Sequence, residues 1–592
     1  MNYYIAGLLN IFLISIYSVS LNKIFKINIS QTFLIVCCLI SFLFFISFNL
    51  SVYLFQFFFF KELYYLLIFF SIYLFFYLKL FEFSKIDKRI IEFIILAIFI
   101  LFFSHNNYFL DEDEFQYYGQ ILKSLKLLNN FTSFQNEFLN NPQSKNFYLS
   151  FYANTTIFFN FFFIILINFS ENILIFSNNF ILISCFFFLL NEKNNFILRF
   201  FYFLIFYILL NNFSFGFMSI YPDAILISIF ACTLGYIMLN NKKEINLQNY
   251  IVFTILCVSL FLTKRSGAIY LSLLIMYIFL FSNMIKFQFY KKLLIIITIM
   301  FVLISIKLEP WTSGDQFLIV LKNYIFHNFK VFLYDFFYLF KVPIYFSQFL
   351  VSVKIILQKL DLFLIIKPFS LSIFYWFLFT LLALILFIRD RSFILFYLLG
   401  FFIVCFINLA WVNNHNMHPL VMGRYIGVFL CSFLLFAVFN NSLNFKNSNI
   451  HKGLIACFFI FISLFLPNKS FGYFLNDRLY HSTLENKIFK FNRDIIKAHS
   501  DKHKNRNKFN VFFYNTNYEK ISLYYTILKY EFFVGKKNNT IHIFDHEVEK
   551  YQKYVKKNET SFFIVNINEK KMNDKINLLT KDIGNVTYIN LK

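Results

Sequence analysis

Apolar stretches of roughly 17 residues or more recur from the N-terminus to about Pro467, and no other feature narrows the fold as far. Each is long enough to cross a ~30 Å hydrocarbon core as an α-helix. Lipid offers the backbone no hydrogen bonds, so a crossing segment must satisfy its own N–H and C=O groups, which specifies helix. Charge agrees: 14% of the residues are charged, against about 25% in a soluble domain. The expected fold class is an α-helical polytopic membrane protein, with roughly 12–15 transmembrane helices by run length.

The candidate spans are 4–21, 32–50, 63–80, 89–104, 151–169, 172–190, 196–217, 224–239, 250–263, 268–284, 293–306, 369–388, 392–411, 425–440 and 453–467. The first lacks a basic flank and a small-residue cleavage site, so it is expected to stay as a span. Basic residues collect in alternate loops: Lys23 and Lys26, then Lys79, Lys85, Lys88 and Arg89, then Lys242/Lys243, Lys286/Lys291/Lys292, Arg389/Arg391 and Lys446/Lys452. Positive loops stay cytoplasmic, which puts the N-terminus and the loop 105–150 outside. Strict alternation fails between 151 and 239, where there is one span too many or too few. A half-helix there, or two short helices, would restore it, and broken helices occur at membrane depth only where protein or a cavity surrounds them.

The membrane domain is expected to cover 1–467, with amphipathic interfacial helices in 307–368. Residues 468–592 alternate strand-like runs ("NVFFY", "IHIF", "SFFIVNI", "VTYINL") with helical ones such as 518–530. They are expected to form a small C-terminal α/β soluble domain, extracytoplasmic if 453–467 exits outward. The net charge of +23 belongs to the loops and signals topology, not nucleic acid. The 97 Phe residues read as lipid-compatible filler. The eight Cys lie in apolar runs without metal-ligand spacing, so no disulfide framework is expected.

Against this background "NNYFLDEDEFQYYGQILKSLKLL" (106–128) stands out, with four successive carboxylates at the lip of an apolar run. Asp111 and Glu114 have capping-box spacing. The segment 112–128 carries an apolar stripe of Phe115, Tyr118, Leu122 and Leu125, with Lys123 and Lys126 opposite, which suits an interfacial helix. Capping leaves Glu112 and Asp113 unexplained. Carboxylates there are suited to deprotonating a hydroxyl or to holding a divalent metal cation that binds a phosphate. Other polar groups stand at span ends: Asp223 in "SIYPDAILI", Lys264 and Arg265 in "LFLTKRSGAIY", and His415, His418, Arg424 and Tyr425 in "WVNNHNMHPLVMGRYIG". Each has a bland alternative: a helix start for Asp223, a cytoplasmic loop for Lys264 and Arg265, a solvated loop for the histidines, snorkelling for Arg424. A guanidinium at an outer lip is also suited to a phosphate.

Together these elements resemble the GT-C superfamily of membrane glycosyltransferases, nearest the protein O-mannosyltransferase and aminoarabinose-transferase branch (glycosyltransferase families 39 and 83). The likeness rests on Asp113, Glu114 and Tyr117 in the first large outer loop, on the "LTKRSG" turn between two spans, and on Arg424–Tyr425 opening a late span. The loop lacks a Lys-Pro-Pro-Leu-like end, having only Pro142, Lys145 and Leu149. The resemblance implies an inverting transfer of a sugar from a polyprenyl-phosphate donor to an acceptor hydroxyl on a lipid, glycan or protein. Asp113 would be the base, with Asp111 as the alternative, and Glu114 would orient base or acceptor. Tyr117, Asp223, Lys264, Arg424 and Tyr425 would bind substrate, with Arg424 and Lys264 at the leaving phosphate. It also implies that Asp113, Asp223 and Arg424 share one cleft. The competing readings are a transporter or flippase for lipid-linked saccharides, a polymer ligase using the same donors, and a structural scaffold.

Overall fold

The computed structural model describes residues 2–51, 59–78, 87–109, 118–127, 154–190, 196–213, 216–240, 247–264, 266–281, 336–337, 373–388, 390–415, 421–444, 491–498, 509–514, 527, 530, 541–545, 561–566 and 586–590. Contacts divide the chain into two units. The first holds 1–54, 59–108 and 146–475, and the second 55–58, 109–145 and 476–592.

The first unit is a helical membrane bundle. Its described helices are α1 (Tyr3–Phe25), α2 (Ile29–Leu50), α3 (Phe60–Tyr77), α4 (Lys88–Phe103), α6 (Asn154–Ile164), α7 (Glu171–Leu189), α8 (Phe196–Phe213), α9 (Pro222–Asn240), α10 (Leu247–Thr263), α11 (Ser266–Phe281), α12 (Ile373–Phe387), α13 (Arg391–His415) and α14 (Val421–Asn444); α5 (Gly119–Leu127) lies in the second unit. Six of them are long and apolar enough to cross a membrane, in α1, α2, α3, α7, α9 and α13. Shorter apolar helices complete the bundle. Large apolar side chains cover its outside, as on α3, where Leu66, Phe69 and Phe76 are 63%, 75% and 63% exposed. Such a surface suits contact with lipid.

Several serines inside the spans are satisfied locally. Ser15, Ser18, Ser20, Ser41 and Ser51 each donate to the carbonyl four residues earlier, a bond helices tolerate at little cost. Phenylalanine fills the interior as well as the lipid face. The Phe33 and Phe93 rings stack at 3.7 Å, and Phe429 meets Phe433 at 4.7 Å.

Specific bonds show which helix ends lie together. The Arg89 guanidinium donates to Asn28 Oδ1 and Ser30 Oγ, joining the starts of α2 and α4. Lys23 donates to the carbonyl of Leu78, joining the ends of α1 and α3. Arg199, early in α8, pairs with Glu92 of α4. These mark a basic end of the bundle. At the opposite end, Tyr3 donates to the Leu101 carbonyl and Asn172 to the His105 carbonyl. So α1 to α4 alternate, and α7 starts at the end where α4 finishes.

The stretch where alternation failed holds α6. Ile157 to Ile165 are buried, Thr155 donates to the Ser259 carbonyl, and Ser177 donates to Asn160. The described part of the expected span 151–169 is thus enclosed by protein, 151–153 lie outside the described residues, and from α7 to α11 the helices alternate.

In the second unit, α5 (Gly119–Leu127) follows the acidic run. Its stripe of Tyr118, Ile121, Leu122 and Leu125 is buried. Lys123, expected on a free polar face, donates to the Tyr530 carbonyl at 2.7 Å and lies 4.2 Å over the Tyr530 ring. The helix is therefore joined to the tail through Lys123 and Tyr530. Residues 491–498 are helical, with Asn492 and Ile496 buried. Four strands follow: β1 (Phe509–Tyr514), β2 (Ile541–Asp545), β3 (Ser561–Asn566) and β4 (Val586–Asn590). They pair in the order β2-β1-β3-β4, all parallel, with Phe509 opposite both Ile541 and Ser561, and Phe562 opposite Val586. The helices expected to alternate with them fall outside the described residues, save Ile527 and Tyr530. The interfacial region 307–368 lies outside as well, apart from 336–337.

Candidate functional site

The start of α9 is built to hold a carboxylate. Pro222 takes the first helical position, where a missing N–H is harmless, and Asp223 lies in the first turn, where the helix dipole favours an anion. The approach turn is shaped by Gly216 at φ 51°, by Ser219 Oγ accepting from the Tyr221 N–H, and by Asn178 of α7 donating to the Ser219 carbonyl.

The partner cation comes from the next hairpin. α9 and α10 run antiparallel, tied at the far end by Tyr236 donating to Asn249. That brings the end of α10 back to the start of α9. The turn into α11 is very tight: the Gly267 N–H donates to the Lys264 carbonyl at 2.8 Å. A Cβ on Gly267 would stand 2.0 Å from the Leu260 carbonyl oxygen, so only glycine fits. Lys264 emerges from this turn with its ammonium 2.5 Å from Asp223 Oδ1, the two side chains 6% and 2% exposed.

α14 supplies the third wall. The Lys264 ammonium lies 5.1 Å from the centre of the Tyr425 ring, in cation–π range. Tyr270, one turn into α11, donates to the Tyr425 carbonyl at 3.3 Å, and its own ring sits 4.9 Å from that of Phe230. Ser432 donates to the Ile227 carbonyl, laying α14 along α9. The result is an ion pair inside an aromatic enclosure. Burial makes each charge expensive alone, since breaking such a pair costs about 3–5 kcal/mol. Ionisable residues held within a membrane bundle are functional candidates for that reason.

Three of the expected substrate-binding residues, Asp223, Lys264 and Tyr425, therefore meet. Lys264 stands at the end opposite Lys23 and Arg89, so it does not belong to the bundle's basic loops. Arg424 is on the first turn of α14, beside Tyr425, and its side chain lies outside the described residues. So do Asp111, Asp113, Glu114 and Tyr117. Tyr270 was not anticipated from sequence. Its signal is its place three residues after Gly267, one helical turn past the tight corner. Among the described residues no cluster of three His, Cys, Asp or Glu side chains is placed to hold a metal. No family model, curated protein or solved structure matches the chain.

Proposed function

We propose that the chain is a GT-C-type membrane glycosyltransferase that moves a sugar from a polyprenyl-phosphate donor to an acceptor hydroxyl. The observation that carries this reading is the meeting of Asp223, Lys264 and Tyr425 from three separate stretches, with Arg424 next to Tyr425 on α14. Lysine and arginine suit a lipid phosphate, and a span end suits a donor whose lipid stays in the bilayer. The positive-inside bias assigns the basic end to the cytoplasm. The Lys264 end is then extracytoplasmic, in a bacterial inner membrane. The tail 468–592 is a small α/β domain on that side, a reading its four parallel strands support, as does the bond from Lys123, in the loop 105–150, to Tyr530.

In the reaction the acceptor oxygen attacks the anomeric carbon while Asp113 takes its proton. The bond from that carbon to the phosphate oxygen breaks, configuration inverts, and polyprenyl phosphate departs. Charge grows on the leaving phosphate as the bond lengthens, so Lys264 and Arg424 hold it more strongly in the transition state than before. Glu114 orients the base or the acceptor hydroxyl, and Tyr117 packs against the substrate. The acceptor is a lipid, glycan or protein hydroxyl, and a divalent cation is compatible with the acidic run.

The test is transfer of radiolabelled sugar from a polyprenyl-phosphate donor in membranes. Asp113→Asn should lose about 10²–10⁴ in rate at unchanged membrane abundance. Full activity of both Asp113→Asn and Asp111→Asn would end this mechanism. The buried ion pair favours a second reading, a flippase for lipid-linked saccharides. It needs no base, so Asp113→Asn would then move its lipid normally.

A further inference from the structure

We infer that Asp223 is the resident counter-ion of Lys264 and that the phosphate of an arriving polyprenyl-phosphate ligand displaces it; this rests on the glycosyltransferase reading above. The charges of the two side chains cancel, and both are almost wholly buried. A neutral pair does not attract an anion from a distance. A phosphate that reaches the Lys264 ammonium also meets the Asp223 carboxylate 2.5 Å from it. Two anions on one buried cation repel strongly in a poorly screened site. In the empty protein the ammonium needs a carboxylate, because a buried cation without one is costly. With phosphate bound, the carboxylate is redundant and opposes binding.

The geometry lets the exchange proceed without stranding either group. Asp223 is in the first turn of α9, where the helix dipole stabilises a released carboxylate. Lys264 keeps the face of the Tyr425 ring, which attracts a cation without competing for the anion. Tyr270 holds the Tyr425 backbone in place through the exchange. Asp223 is thus a positioning residue that acts through Lys264, setting the affinity for the phosphate.

The experiment measures calorimetric binding of farnesyl phosphate, inorganic phosphate and farnesol to the full-length protein in detergent. Asp223→Asn should bind farnesyl phosphate at least about tenfold more tightly than the unaltered protein, since the competitor is gone. The double variant Asp223→Asn/Lys264→Gln, which carries no charge at either position, should lose that gain. A merely structural role for Asp223 would weaken binding or leave it alone, and either result overturns the inference. If the unaltered protein binds farnesyl phosphate but the gain is missing, counter-ion displacement fails and the donor reading stands. If neither protein binds it, or farnesol binds equally well, the phosphate role of the site fails with it. A gain shared by inorganic phosphate supports displacement and assigns recognition to the phosphate alone. Should Asp223→Asn not be recovered folded, farnesyl phosphate present during extraction should rescue it by replacing the carboxylate; absence of rescue counts against the inference.

Discussion

Replacing Gly267 with alanine should disable the site without touching a charged residue. The added Cβ would lie 2.0 Å from the Leu260 carbonyl oxygen and 3.0 Å from its carbon. Both are backbone atoms, so no rotamer change relieves the clash, and the start of α11 must move away from the end of α10. Overpacking of this kind costs about 1–3 kcal/mol. If the shift also draws Lys264 from Asp223, about 3–5 kcal/mol more is at stake. Gly235→Ala is the matched control. Its Cβ would meet only a Leu189 methyl at 3.7 Å, an ordinary contact, and alanine is favoured over glycine in a helix by about 1 kcal/mol. The assay is the unfolding midpoint of purified protein in detergent, with membrane abundance alongside. Gly267→Ala should fall well below the unaltered protein, and Gly235→Ala should equal or exceed it. Equal midpoints for the two variants would refute the claim that the α10–α11 turn is set by backbone contact.

Lys264→Met should destabilise by about 3–5 kcal/mol, because the buried Asp223 carboxylate loses the Lys264 ammonium, and adding Asp223→Asn should recover much of that in the same assay. Tyr425→Phe should keep farnesyl phosphate binding, since the ring face is what meets Lys264. Tyr425→Leu should destabilise by roughly 0.5–2 kcal/mol through loss of the cation–π contact. Cysteines placed at Asn130 and Asn539 should both label from the extracytoplasmic side, and labelling from opposite sides would break the shared-face topology.

Much of the bundle was legible because hydrocarbon leaves a crossing chain few choices. Long apolar runs had to be helices, and the basic loops marked alternate ends. The site was legible only as fragments. Asp223, Lys264 and Tyr425 each stood out as polar groups at a span end, but which of them touch depends on the antiparallel return of α10 and on α14 lying along α9. Those contacts come from packing, which local patterns do not encode. The end of the bundle that Lys264 reaches was hidden for a related reason: its neighbours in sequence are apolar runs on both sides, and only the contacts of α9, α10 and α14 set its place. For α5 the stripe of Tyr118, Leu122 and Leu125 was visible, but an apolar stripe says nothing about whether lipid or protein covers it. Docking of Lys123 on Tyr530, 407 positions away, was beyond any local signal.

Helix α6 also bears on how the chain is assembled. Its polar groups Thr155 and Asn160 bond to Ser259 and Ser177 of α10 and α7, which leave the ribosome later. These contacts must therefore wait until those helices have been synthesised. Assembly at this point is a closing step, in which α7 and α10 shut around a piece already made.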